Sequence, residues 1–443
     1  MNRFIQTLRN IWGITELREK LLLTAGLLLV YRLGSNVVLP GIDPSSLENL
    51  QSQASEGLIG LINAFSGGAF ANASILALGI MPYISASIVI QLAGLAVPAV
   101  QKMQKEGESG RRKLNQITRY LTILIVAAQA PGYITNLIYQ GVNITLPMST
   151  FWMASWVVII AGTIFAMWLG ERITEKGVGN GISLLIMIGI IANFPQAFFQ
   201  EVATQLSPSG GGWIKFLIEI VALYLVFLFA IAITQAVRKV PLEYAKRVAG
   251  GSSKSLGRSY LPVRVNASGV MPIIFAQALM FVPLTVVQYA GLEGSGATWV
   301  VDVFGNIQGF WYNFVFAMLI LVFTYFYTAI QINTTQIADD LKRNGGFVPG
   351  IKPGEATGNY IDDVLAKITL PGAILLALIA ILPSVAMTLG INMQWAQFYG
   401  GTSLLIIVGV VLDTLMQIES YLLNSHYDGL MEGGRMRGRN TSI

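Results

Sequence analysis

The chain contains no cysteine and a single histidine, His426, and only 12% of its 443 residues are charged. Without cysteine there is no disulfide framework and no thiolate metal ligand, and one histidine excludes a multi-histidine metal centre. Soluble domains carry about a quarter charged residues, so this low charge, with 54% apolar residues, excludes a typical cytosolic enzyme. We therefore expect lipid as the solvent, and no catalytic, cofactor-binding or metal-binding residues.

Ten apolar runs are each long enough to cross a bilayer, which takes about 20 residues. They lie near residues 21–39, 74–97, 121–139, 152–170, 181–199, 213–236, 268–290, 311–332, 369–390 and 400–418. The first run follows a polar, amphipathic segment at 1–20 and lacks a small-residue cleavage site, so it does not have the pattern of a signal peptide. The sequence predicts an all-α, polytopic membrane protein with ten transmembrane helices.

The Lys and Arg residues are divided unequally between the two sides of the membrane. When the ten spans alternate in direction, the side that holds both termini carries all 28 Lys and Arg residues except Arg32 and Lys215. Those two lie towards the outer ends of their spans, where long side chains can snorkel. Because positive charge accumulates in cytoplasmic loops, we expect both termini, including the basic tail 419–443, to be cytoplasmic.

Three connections are unusual for a helical membrane protein. Two cytoplasmic loops, about 237–267 and 333–368, are basic, rich in Gly and Pro, and longer than a helical hairpin needs. They fit either a docking element for a large acidic partner or a solvated linker. On the outer side, the apolar stretch 58–72 is too short to span, so it is either a re-entrant segment that lines a cavity or an interfacial helix.

Buried ionisable groups are scarce in the predicted spans, which argues against ion-coupled transport or catalysis. Glu219 lies four residues after Lys215 and fits a local ion pair. Asp413 lies near the cytoplasmic end of the last span. The glycines of 177–181 (GVGNG) do not have Walker-loop spacing and follow no strand, which argues against nucleotide binding.

A series of short motifs runs in order along the whole chain. They are YRLGS at 31–35, PGID at 40–43, FSGGA at 65–69, ALGIMPYISASI at 77–88, KEGESGRRK at 105–113, MWLGE at 167–171, GVGNGIS at 177–183, YAKR at 244–247, FVPGIKPGE at 347–355 and GGTSLLI at 400–406. With these motifs the chain resembles the SecY/Sec61-alpha family, the channel subunits of protein translocases. The resemblance implies two inverted five-helix halves, 21–199 and 213–418, around an hourglass pore.

The resemblance also implies the residues that line this pore. The waist would be a ring of branched apolar side chains: Ile80, Ile84, Ile182, Ile186, Ile274 and Ile406. A narrow apolar constriction loses its water and blocks ions, yet it forms no lasting hydrogen bonds with a sliding polypeptide. Taken alone, without the resemblance, each of these isoleucines is interpreted as ordinary core packing.

Two moving parts follow from the same resemblance. The stretch 58–72 would be a plug that fills the outer funnel, and its central residues are Ile62, Asn63, Ala64, Phe65, Ser66, Gly67, Gly68, Ala69 and Phe70. A lateral gate between the second and seventh spans would release apolar segments into lipid. Its candidate polar contacts are Ser85, Ser87, Gln91 and Gln277, because interhelical hydrogen bonds in membranes are weak enough to break.

The two long loops correspond to the family's docking sites for the ribosome and the SecA motor ATPase. The candidate docking residues are Arg111, Arg112, Lys246, Arg247, Arg258 and Lys352. Lys352 stands where the family commonly has Arg, which keeps the charge but loses the bidentate fork. Residues 249–255 replace a more Arg-rich stretch.

The resemblance therefore implies a passive protein-conducting channel for unfolded presecretory polypeptides in the bacterial plasma membrane, not an enzyme. It also implies the small subunits SecE and SecG, and leaves room for accessory translocon or insertase proteins. A secondary transporter of small solutes is the rival hypothesis from another class, and it requires buried ionisable residues. An intramembrane lipid-modifying enzyme lacks the paired acids or histidine that it needs.

Overall fold

The computed structural model describes residues 12–47, 63, 66–207, 211–244, 259–290 and 295–433. In this part the chain is mostly helical, with three short strands. The helices are α1 Thr15–Gly34, α2 Met81–Ala96, α3 Pro98–Lys105, α4 Glu108–Tyr139, α5 Met148–Lys176, α6 Gly181–Leu206, α7 Gly212–Gln235, α8 Met271–Ala290, α9 Ser295–Gly305, α10 Phe310–Gln331, α11 Thr334–Arg343, α12 Glu355–Thr388, α13 Met393–Ala396 and α14 Gly401–Gly433.

Each of the ten predicted spans overlaps one of these helices, namely α1, α2, α4, α5, α6, α7, α8, α10, α12 and α14. Within the described residues, seven helices are long and apolar enough to cross a membrane by themselves, and the bent pair α2 and α3 makes an eighth candidate. Lipid offers backbone groups no hydrogen-bond partner, so apolar segments in it must be helical. The predicted helical, multi-pass membrane fold is confirmed.

The second span begins later than predicted. Residues 74–80 form turns, and α2 starts only at Met81. Gly79 has a φ of +52°, which ends any regular helix at this point, and Pro82 follows in the first helical turn, where its missing N–H costs nothing. Hydropathy does not detect this boundary, because the residues on both sides of it are apolar.

The chain forms two compact units. One comprises Met1–Pro195 and Val410–Ile443, and the other comprises Gln196–Gly409. In the first, α4 packs against α2 and α5, and α1 packs against α5. Its apolar core includes buried residues from α4 and from the turns before α2. In the second, α10 packs against α8 and α12.

The two long loops fold together into a small sheet. Strands β1 (Val237–Tyr244) and β2 (Ser259–Arg264) are antiparallel neighbours, and β3 (Gly346–Phe347) pairs with the end of β1 to give the order β2-β1-β3. The sequence predicts two separate loops here, and the sheet is an addition to that prediction. Hydropathy does not reveal it, because β3 has two residues and lies more than 100 residues after β1.

This sheet has an apolar core of its own. Buried side chains from the strands meet side chains from α11, the tip loop and the start of α12: Val240, Leu242, Val263, Leu341, Val348, Ile361 and Leu365. The Asn333 side chain caps α11 by accepting a hydrogen bond from the Gln336 backbone N–H at 3.1 Å. The loops are therefore one folded element, which we call the loop sheet (237–244, 259–264 and 334–365).

Candidate functional site

The segment before α2 is non-helical and yet buried. Residues 67–80 are turns, and Ala69, Phe70, Ala71 and Ala73 are at most 7% exposed. Of the predicted plug, the described residues are Asn63, Ser66, Gly67, Gly68, Ala69 and Phe70, whereas Ile62, Ala64 and Phe65 lie outside the described residues. Irregular backbone at membrane depth is tolerated where protein surrounds it. We call residues 66–73 the plug stem.

The plug stem is held by hydrogen bonds from two helices. The Arg32 guanidinium, at the end of α1, donates from Nη1 to the Gly67 carbonyl at 2.6 Å. The Tyr133 hydroxyl of α4 donates to the Phe70 carbonyl at 2.8 Å, and the two rings meet edge to face with centroids 4.8 Å apart. Each contact joins residues at least 35 positions apart, so local sequence patterns give no sign of them.

The plug stem also has internal hydrogen bonds. The Ser66 hydroxyl accepts from the Phe70 backbone N–H at 3.1 Å, and the Asn63 side-chain oxygen accepts from the Ala71 N–H at 3.0 Å. Beyond the stem, the chain pairs with the segment that follows α1: Leu39 N–H donates to the Ala73 carbonyl at 2.8 Å. The stem is thus an ordered loop fixed at both ends.

The six ring isoleucines all lie near helix ends. Ile80 caps α2 and Ile84 follows one turn later, where its N–H donates to the Ile80 carbonyl at 3.1 Å. Ile182 and Ile186 are also four residues apart, in the first turns of α6. Because residues four apart share a helix face, each pair presents one apolar stripe.

The remaining two positions, Ile274 and Ile406, belong to the second unit. Ile274 lies in the first turn of α8 and is half-buried, and Ile406 lies in α14 and is 2% exposed. Burial of this kind fits a pore lining and core packing equally, so the ring stays a prediction.

The polar residues predicted for the lateral gate bond mainly within their own helix. Ser85 donates to the Met81 carbonyl at 3.1 Å, and the Gln91 amide donates to the Ser87 hydroxyl at 3.2 Å. Gln277 in α8 is 5% exposed, and its Oε1 has no hydrogen-bond partner among the described residues. The assignment of these four residues to a gate stays a prediction.

The glycine run 177–181 is a turn against which several helices pack closely. Backbone N–H groups of Val178 and Gly179 donate to the side chains of Thr24 in α1 and Gln417 in α14, at 3.0 and 2.9 Å. A Cβ at Gly181 would collide with the backbone carbonyl of Gly170. The glycines let three helices approach one turn closely, which accounts for the motif without a phosphate ligand.

An Arg–Glu pair joins α4 to α5. Arg119 donates from Nε and Nη2 to the two carboxylate oxygens of Glu171 at 2.8 and 2.7 Å. Planar, bidentate contacts of this type are among the strongest charged hydrogen bonds. The MWLGE motif at 167–171 does not reveal this partner of Glu171, because Arg119 lies 52 positions earlier.

Ionisable residues are buried in the second unit, contrary to the prediction from hydropathy. The predicted fifth span ends at 199, but α6 continues to Leu206 because residues 200–206 include good helix formers. Glu201 and Glu219 are at most 4% exposed, and the Gln205 amide donates to both carboxylates at 2.6 and 3.1 Å. The predicted Lys215–Glu219 ion pair is present, but it is long at 4.0 Å.

A secondary transporter requires buried ionisable residues, and Glu201 and Glu219 are such residues. The chain does bury ionisable groups, so their supposed absence does not exclude that class. The carboxylate of Glu201 also accepts from the Asn392 backbone N–H at 3.1 Å, and the Tyr399 hydroxyl donates to the Glu219 carbonyl at 2.7 Å. Family relationship, rather than composition, must decide between the two hypotheses.

The docking candidates that the structure describes are exposed. Arg111 and Arg112 lie near the start of α4, where Arg112 pairs with Glu108, one turn earlier, at 2.7 Å. Lys352 lies at the tip of the loop sheet, where its backbone carbonyl accepts from the Thr357 hydroxyl at 2.9 Å. Lys246, Arg247 and Arg258 lie outside the described residues.

Comparison with known proteins identifies the family. The SecY family model matches residues 74–415. The chain is 40% identical over 428 residues to the protein translocase subunit SecY of Streptomyces scabiei, which covers 94% of this chain and 97% of that one. So long an alignment at this identity includes both compact units and the loop sheet.

Two solved structures share the fold. One, of a SecY whose plug domain is described as stabilising the closed state of the translocation channel and maintaining a membrane seal, has a TM-score of 0.60 and 16% identity, and covers 90% of this chain and 91% of that chain. The other is Sec61 in the canine ribosome–channel complex from the endoplasmic reticulum, with a TM-score of 0.56, 16% identity and the same coverage. Together with the sequence match, these comparisons show that the chain belongs to the SecY family and is a protein-translocating membrane channel, not an enzyme.

Proposed function

We propose that residues 58–72 are the plug of this channel and that Ile80, Ile84, Ile182, Ile186, Ile274 and Ile406 form its pore ring. One observation carries this proposal. The plug stem is mostly buried and leads through turns into α2, which Ile80 caps and whose fourth residue is Ile84. A segment of this kind can close a pore without being part of its wall.

The ring would block ions when the pore is empty and would let an unfolded polypeptide slide through. Water is unstable in a narrow passage lined only by apolar side chains, so ions are blocked when no polypeptide fills it. Isoleucine offers no hydrogen-bonding group, so an unfolded chain in transit makes only non-directional contacts. Presecretory polypeptides of many different sequences would then pass at a similar cost in free energy.

The lateral gate would open between α2 and α8. The hydrogen bonds of Ser85 and Gln91 lie within α2, so they would not have to break for the helix to move. Interhelical hydrogen bonds in membranes contribute only about 1 kcal/mol each, so the few at such a seam break readily. Apolar segments of a nascent chain then leave sideways into lipid.

The loop sheet would be the docking site for the motor ATPase or the ribosome, on the cytoplasmic side of a bacterial plasma membrane. Its own apolar core supports this role, because a folded element holds Lys352 in a fixed position. Arg111 and Arg112, which are exposed in α4, would be further docking residues. SecE and SecG would complete the assembly around the channel. Both termini would lie in the cytoplasm with this face.

Polar substitution of the ring tests the proposed seal. Ile84→Asn, Ile186→Asn, Ile274→Asn and Ile406→Asn combined in the intact chain are expected to raise the resting ion leak of proteoliposomes about tenfold, because a polar constriction stays wet. The same four positions changed to Leu are the matched control and are expected to leave the leak unchanged. Equal leaks from the Asn and Leu chains would contradict the ring.

A further inference from the structure

Arg32 is an unusual cation because its partner is a backbone carbonyl. It lies in the last turn of α1, half-buried, and its Nη1 is 2.6 Å from the Gly67 oxygen. Among the described residues, no carboxylate lies within 4.0 Å of its guanidinium. The Arg32 side chain therefore does not snorkel towards water, because its guanidinium is directed at the plug stem.

The backbone at Gly67 lets the Arg32 guanidinium approach closely. Gly67 has a φ of +66°, a conformation that favours glycine. A Cβ at this position would lie 2.6 Å from the Gly189 Cα and 2.9 Å from Arg32 Nη1. Gly67 thus lies in close contact with both α6 and the guanidinium. Any larger side chain at this position would displace the stem from both.

The chemistry of this bond suits a contact that has to break. A charge-assisted hydrogen bond is roughly twice as strong as a neutral one. When it opens, the carbonyl left behind is neutral, so no carboxylate is stranded in an apolar site, which would cost far more. The Tyr133–Phe70 bond, three residues further along the chain towards α2, is neutral and is reinforced by ring packing.

We propose that Arg32 is the catch of the plug: its bond to the Gly67 carbonyl sets how readily the plug leaves its closed position, while Tyr133 fixes the stem behind it. Arg32 is then a positioning residue that touches neither substrate nor motor. This inference rests on the proposed plug, and it assigns to α1 a control over opening that the plug alone does not imply.

The test compares three single substitutions by conductance in planar bilayers, without motor or ribosome. Arg32→Met removes the charge and all the guanidinium donors at similar length, Arg32→Lys keeps the charge and an N–H donor, and Tyr133→Phe removes only the hydroxyl. The catch predicts openings about tenfold more frequent for Arg32→Met, an intermediate frequency for Arg32→Lys, and less than about a threefold change for Tyr133→Phe.

A chain lacking residues 60–70 distinguishes a failure of the Arg32 proposal from a failure of the plug proposal. In that background Arg32→Met is expected to add nothing, because there is no plug to release. If the deletion conducts but Arg32→Met in the full chain stays as closed as the original, the catch is wrong and the plug stands. If the deletion itself stays closed, the plug is wrong. An added conductance of Arg32→Met in the deletion background also overturns the catch.

Cysteine labelling gives a second readout, which does not depend on ion flow. The chain has no cysteine of its own, so Ser66→Cys is the only thiol. Ser66 is 1% exposed, and the catch predicts that Arg32→Met speeds its modification by a membrane-impermeant maleimide about tenfold. Should Arg32→Met not accumulate in the membrane, Arg32→Lys decides: labelling as slow as in the parent Ser66→Cys chain overturns the catch.

Discussion

A chain that lacks residues 60–70 will conduct ions across planar bilayers in large, flickering openings without any motor, whereas the intact chain will stay closed. The deletion removes the Gly67 and Phe70 carbonyls that Arg32 and Tyr133 bind, and it leaves the backbone pairing of Leu39 with Ala73 in place. The one seal left would then be the proposed isoleucine ring, and an apolar constriction alternates between wet and dry states. Flicker is the signature of that alternation.

The ring and the plug can be separated within this experiment. Adding the four Asn substitutions to the deletion is expected to abolish the flicker and leave steady openings, because the dry state is lost. Adding the four Leu substitutions is expected to leave the flicker. Single-channel recordings of the three chains measure both effects. Silence of the deletion chain, with solute uptake that follows a proton or sodium gradient, would instead favour a transporter.

Reversing the charge of Lys352 is expected to reduce motor-driven or ribosome-coupled translocation by about tenfold, because like charges at a docking surface repel. The fold should not change. Lys352 is exposed, and the tip is shaped by backbone contacts: the Ile351 N–H donates to the Val348 carbonyl at 3.1 Å, and Gly350 has a φ of +83°. Translocation of a secretory precursor into proteoliposomes measures the effect of Lys352→Glu.

Lys367→Glu is the matched control for this prediction. Lys367 is also exposed, lies in α12 beyond the loop sheet, and undergoes the same change of charge. It should translocate at the original rate, and so should Lys352→Arg, which restores a planar fork at the tip. Equal losses from Lys352→Glu and Lys367→Glu would mean that overall charge, and not the tip, governs docking.

The helical part of the fold was predictable because lipid leaves few choices. An apolar run of about 20 residues must become a helix in a bilayer, and all ten predicted spans did. The ends were less predictable. The turns at 74–80 are as apolar as α2, and the helical extension to Leu206 carries Glu201 into a buried network, so hydropathy misplaced both boundaries.

Contacts between distant segments were not predictable from one sequence. The pairing of β1 with β3 joins Glu243 to Phe347, and β3 is too short to show an alternating pattern. The Arg32–Gly67 bond depends on a left-handed glycine and on the close approach of α6. Glycine motifs indicate where two segments approach closely, but they do not identify the partner segment. The run 177–181 was one of these, since its partners Thr24 and Gln417 come from opposite ends of the chain.

The central claim, that a polypeptide crosses through the isoleucine ring, is tested most directly by disulfide trapping of an arrested precursor. Ile186→Cys and Ile191→Cys lie on the same helix, α6, but the first side chain is 5% exposed and the second is 39% exposed. The parent chain has no cysteine to interfere. A precursor with one cysteine, arrested in transit, should form a disulfide with Ile186→Cys and not with Ile191→Cys. Equal trapping at both positions, or trapping at Ile191→Cys alone, would contradict passage through the ring.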